Sequence, residues 1–163
     1  MINTEEKAQL LKRINIKQQN EMQIATEKAI NAGKDVMVLS ATGSGKTFAF
    51  LIPLLFKLQK ETKKAQLLVI VPSRELALQI EQVFRQFQSG FKVSCIYGGH
   101  STKTEEQSLS VTPEVIIGTP GKISYHIRKG NIQPEELQYL VLDEFDKSLE
   151  MGFQDEMEFI IES

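Results

Sequence analysis

Short apolar runs alternate along the chain with longer stretches in which apolar residues recur every three or four positions. The runs lie at 36–39 (VMVL), 67–71 (LLVIV), 93–97 (VSCIY), 115–117 (VII) and 139–142 (YLVL). Their length and β-branched content predict strands, and their near-continuous hydrophobicity predicts burial on both faces. Helical spacing marks 48–58, 73–88, 120–129 and 153–161, and 102–109 reads as a polar helix. Ser73 after Pro72 starts the second of these helices, and Gly130 stops the one at 120–129. Strands and helices in alternation predict an α/β fold, a three-layer domain whose mostly parallel sheet is covered on both faces. In such sheets ligands gather beyond the carboxyl ends of the strands.

The chemically suggestive strings all fall at those ends: 43–47, 72–75, 98–99, 119–122 and 143–146. The first is the most informative. Ala41, Thr42, Gly43, Ser44, Gly45, Lys46 and Thr47 link the 36–39 run to the following helix. Glycine there lets the backbone turn its N–H groups onto a phosphate chain at a helix N-terminus. Lys46 can then reach the β and γ phosphates, and the Thr47 hydroxyl can ligate Mg²⁺. The glycine that usually opens such a loop is Ser40 here. The string points to a nucleoside triphosphate, against the plainer reading of a solvated Gly/Ser loop. At 139–142 an apolar run delivers Asp143 and Glu144. The first suits a Mg²⁺ role, and the second suits orienting or deprotonating an attacking water. A helix N-cap at Asp143 or Asp146 is the structural alternative.

Composition narrows the picture. The 163 residues, 41% hydrophobic and 25% charged, suffice for one ordinary domain with a sound core. A net charge of −2 excludes bulk electrostatic attraction to nucleic acid, so such binding must come from a local surface. The single cysteine, Cys95, excludes an internal disulfide and is expected to pack as a small hydrophobe, with no base motif to make it a nucleophile. The polar first twelve residues are no secretory signal, and no apolar run nears membrane-spanning length. A cytoplasmic location is the resulting expectation.

Taken in order, these strings resemble the DEAD-box ATP-dependent RNA helicases of superfamily 2. Residues 41–47 resemble motif I. Pro72-Ser73-Arg74-Glu75-Leu76-Ala77 resembles motif Ia, Gly98-Gly99 the glycine doublet, Thr119-Pro120-Gly121-Lys122 motif Ib, and Asp143-Glu144-Phe145-Asp146 motif II. The likeness covers nearly the whole chain, as the first of the family's two RecA-like domains. It implies a helical segment over 1–33 and a RecA-like domain over 34–163. Gln23, ten residues before Gly33, matches the family's adenine-reading glutamine. Its amide offers a donor and an acceptor to the adenine edge, which would make ATP the substrate. The resemblance further implies Mg²⁺ at Thr47 and Asp143, catalysis by Glu144, Asp143 and Lys46, and coupling to the second domain through Asp146.

Arg74, Gly98, Gly99, Thr119, Gly121 and Lys122 match positions that hold the sugar-phosphate backbone of single-stranded RNA, largely without regard to base sequence. A surface salt bridge between Arg74 and Glu75 and a simple turn at Gly98-Gly99 are the bland alternatives. The chain departs from the family at Lys122 for arginine, Phe145 for alanine, and Gln19-Asn20 for a Pro-Thr or Pro-Ser pair. No stacking aromatic is evident near Glu6. The family's next motif and its second RecA-like domain would lie past Ser163, so the resemblance implies a fragment of a longer protein. The strand carrying that next motif is expected between 36–39 and 139–142. A superfamily 2 enzyme acting on DNA and a non-catalytic RNA clamp are the competing functions.

Overall fold

A computed structural model describes residues 4–60, 62–99 and 101–163. It divides into two compact units: the described residues up to Leu58 together with Gln86–Ser89, and Gln59–Arg85 together with the described residues from Gly90 to Ser163.

The first unit is helical: α1 (Thr4–Arg13), α2 (Glu21–Asn31) and α3 (Lys46–Leu55). Lys7 Nζ pairs with Glu27 at 2.6 Å and ties α1 to α2. Arg13 Nη1 donates to the Phe87 carbonyl. Along α3, Ala49, Leu51, Ile52, Leu54 and Leu55 are all buried, so this helix is apolar on every side. It ends three residues short of the expected Leu58. Pro53 withdraws one N–H from the helical ladder, and the helix closes two residues later.

The expected strand at 36–39 does not form. Met37 and Leu39 are 86% and 89% exposed, and no described ladder includes them. An apolar run becomes a strand only through the neighbour it bonds to, which periodicity cannot supply.

The second unit holds the sheet. Its elements are β1 (Leu67–Ile70), α4 (Arg74–Gln86), β2 (Val93–Ile96), α5 (Thr102–Ser110), β3 (Val115–Gly118), α6 (Pro120–Arg128), β4 (Tyr139–Leu142), α7 (Phe145–Glu150) and α8 (Gln154–Glu162). The strand order is β2-β3-β1-β4, and every pairing is parallel. Leu67 stands opposite Val115 on one side and Tyr139 on the other. The two central strands are buried at every position, as a sheet covered on both faces requires. β2 alternates, and β4 is half-exposed along its length.

Leu68, Ile70, Ile96, Ile116 and Ile123 form the centre of one core, joined by Met157 and Ile160 from α8. Each such side chain contributes about 1.5–3 kcal/mol of burial. Because the sheet is parallel, all four strands deliver their carboxyl ends to one edge.

Candidate functional site

In the first unit the phosphate-type loop is shaped by backbone geometry. Gly43 and Gly45 have φ of +81° and +88°, a region that side chains rarely tolerate. A Cβ at Gly45 would also lie 2.5 Å from Gln23 Nε2 and displace that amide from its place against the loop. Lys46 Nζ folds back on the Ser40 and Ala41 carbonyls at 2.6 and 3.0 Å. The Ser44 hydroxyl oxygen is buried and has no hydrogen-bond partner. Thr47 follows in the first turn of α3.

The N-cap residue of α2 and one side chain of its first turn fasten this loop, a link sequence reasoning missed. Asn20 caps α2: its Oδ1 accepts from Gln23 N at 2.9 Å, while Gln23 Oε1 accepts from Asn20 N at 3.0 Å. The same two amides then donate to the loop, Asn20 Nδ2 to Ser44 O at 3.0 Å and Gln23 Nε2 to Gly45 O at 3.1 Å. Asn20 replaces a Pro-Thr type residue, yet it makes a capping box with Gln23 three positions on. The N-x-x-Q spacing before a helix was the available signal.

The other predicted residues lie in the second unit, beyond the strand ends. Asp143 follows β4, and its N–H donates to Ile70 O at 2.9 Å. Asp143 Oδ1 accepts from Glu144 N at 3.1 Å. Glu144 sits in the left-handed region at φ +50° and makes no side-chain cap to α7. Neither Asp143 nor Asp146 is that helix's N-cap, since Glu144 occupies the position. Glu144 Oε2 instead accepts from Lys147 Nζ at 2.9 Å, and that hydrogen bond raises the lysine pKa, aided by the carboxylate's charge. Phe145, in place of a small residue, is 40% exposed, and Asp146 is exposed beside it.

Arg74, at the start of α4, lays its guanidinium 5.0 Å over the Tyr97 ring rather than forming the Glu75 pair considered above. Gly99, with φ +102°, lies against Arg74 Nη1, so these two residues are brought together. Ser73 Oγ accepts from Leu76 N at 3.2 Å and caps α4. Thr119 is the N-cap of α6 with no side-chain bond to the helix, and Gly121 and Lys122 follow in its first turn. Just before them stands Gly118, which the sequence reading did not single out. A Cβ at Gly118 would lie 2.5 Å from Ile96 O and 2.6 Å from Ile123 Cδ1, so glycine alone lets β3 pass into α6 here. Lys122 Nζ donates to Glu105 Oε2 at 2.8 Å.

The Cys95 thiol is pushed up to about 12, first by burial and then by the charge and hydrogen bond of Glu81. A thiol so placed stays protonated at neutral pH, in keeping with a packing role. No described helix is long and apolar enough to cross a membrane.

A profile of the DEAD/DEAH box helicase family matches residues 20–163. Among curated proteins, the chain is 42% identical over 143 residues to the ATP-dependent RNA helicase DeaD of Mycobacterium tuberculosis, covering 86% of this chain and 25% of that protein. It is 40% identical over 132 residues to the DeaD of Haemophilus influenzae, covering 79% and 22%. It is also 35% identical over 164 residues to the ATP-dependent RNA helicase DDX50 of Mus musculus, covering 97% and 22%. The chain therefore spans about a quarter or less of these relatives. Among solved structures, a hypothetical ATP-dependent RNA helicase from Sulfolobus tokodaii superposes with a TM-score of 0.86 at 31% identity, over 98% of this chain and 46% of that one.

Proposed function

The chain belongs to the DEAD/DEAH box helicase family, and on that premise we propose that it is the ATP-binding domain of an RNA-dependent ATPase. Such an enzyme holds single-stranded RNA by its backbone and uses ATP hydrolysis to separate short duplexes. The observation that supports the reading most is the loop at 40–47. Its lysine rests on loop carbonyls, and a buried serine hydroxyl has no partner. Both groups suit anionic phosphate oxygens, which would replace those carbonyls and satisfy that hydroxyl.

Ala41, Thr42, Gly43, Ser44, Gly45, Lys46 and Thr47 are the proposed triphosphate ligands, with Thr47 and Asp143 holding Mg²⁺, partly through water. A hydroxyl and a carboxylate are hard oxygen donors, the kind Mg²⁺ takes while phosphate oxygens and water complete its shell. When bound, the ion neutralises charge on the phosphate oxygens. Glu144 is the proposed organiser of the attacking water, and Lys46 stabilises charge that builds on the transferred phosphoryl group. Gln23 is the proposed adenine reader. Its amide is anchored by Asn20 N and Gly45 O, and one N–H and one oxygen lone pair stay open for a base edge.

The RNA backbone is assigned to Arg74, Gly98, Gly99, Thr119 and Gly121, with Lys122 beside them. Relatives named RNA helicases favour RNA over DNA as the stimulating polymer. Residues 1–33 serve as the helical segment bearing Gln23, and 34–163 as the RecA-like domain. Asp146 couples to a second RecA-like domain, and the cytoplasm is the expected compartment.

Glu144→Gln in the complete protein should keep ATP affinity near the parent's while turnover is lost. Lys46→Ala should weaken nucleotide binding itself. Parent-rate turnover by Glu144→Gln would show that the roles are wrongly assigned.

A further inference from the structure

One buried polar cluster is used by neither the phosphate loop nor the acidic turn. Glu105, on α5, is 3% exposed. Its Oε2 receives Lys122 Nζ at 2.8 Å and His126 Nε2 at 3.1 Å, both from α6. Asn131 Nδ2 lies 3.0 Å from His126 Nδ1, an arrangement that suits the tautomer with its hydrogen on Nε2, facing the carboxylate. Lys122 brings the ammonium to this cluster. Glu105 Oε1 is buried without any hydrogen-bond partner, so the carboxylate has no reserve donor.

We propose that Glu105 is a positioning residue of the RNA face: it keeps Lys122 as its own counter-ion, so RNA meets the first turn of α6 through backbone N–H groups and not through the lysine. The proposal rests on the RNA-binding reading above. Giving Lys122 to a phosphate would leave a buried carboxylate with one imidazole N–H, the costly half of a broken buried ion pair. A solvent-exposed lysine–phosphate contact returns much less. The same carboxylate grips α6 at Lys122 and again one turn later at His126, which fixes how Thr119 and Gly121 present the helix start. The lysine side chain is only 24% exposed, consistent with a group turned toward the protein.

The test is the salt dependence of single-stranded RNA binding by the complete protein, with folding checked by thermal melting. A lysine that neutralises a phosphate adds about 0.7 to the slope of log K against log salt on single strands. Lys122→Gln should leave the parent slope in place. Glu105→Gln keeps the side-chain shape and removes its charge. It should release Lys122, tighten binding at low salt and steepen the slope by about 0.7. Adding Lys122→Gln to that variant should cancel the gain. A slope lowered by about 0.7 in Lys122→Gln alone, or no change in a folded Glu105→Gln, overturns the proposal. If one single variant does not fold, the other decides. A parent protein that binds no RNA at any salt defeats the RNA reading itself, before either variant is made.

Discussion

Gly45 and Gly118 are glycines for different physical reasons, and only one was readable beforehand. Gly45 belongs to a phosphate-loop string, so its backbone role could be inferred from spacing. Gly118 is set by the approach of Ile96 O and Ile123, 22 and 5 positions away, which no local pattern announces. Lys122 makes the same point for charge. Its place in motif Ib suggested a phosphate contact, whereas its partner in the structure is a glutamate 17 positions earlier. Cys95 was legible as a packing residue from the apolar run around it. Its pKa of about 12 yields a direct expectation. Thiol alkylation at pH 8 should be far slower than for a free cysteine, and its rate should keep rising as pH is raised past 9, because the thiolate forms only well above the usual range. A rate that levels off near pH 9 would refute that environment.

At the scale of elements, β1 to β4 match the apolar runs to within a residue, and the continuous burial those runs suggest holds for the two central strands, β1 and β3. The run at 36–39 has the same composition and forms no strand, since composition cannot supply a bonding neighbour. α7 went unseen because its 6 residues are too few to establish a helical period. The N-terminal half of α2 is the element on which the loop depends. Asn20→Ala would remove the cap and the bond to Ser44 O together, at a cost of about 1 kcal/mol for the cap alone. Thermal melting should show that loss, and nucleotide affinity should fall with it as the loop slackens. Unchanged melting would mean that solvent replaces the cap at no cost.

For the molecule as a whole, a parallel sheet gathers Arg74, Gly99, Thr119 and Asp143 at one edge of the second unit, while the phosphate loop belongs to the first. The fold class and the order of the motifs were readable from the chain. The partners each side chain takes were not, because they depend on contacts between elements distant in sequence. On the proposed function, RNA governs ATP hydrolysis by the complete protein. ATP turnover by the complete protein, measured with no nucleic acid, with single-stranded RNA and with single-stranded DNA of the same sequence, tests it most directly. Turnover should be low without nucleic acid, markedly stimulated by RNA and little changed by DNA. Turnover that ignores RNA, or that DNA stimulates equally well, would overturn the assignment to RNA.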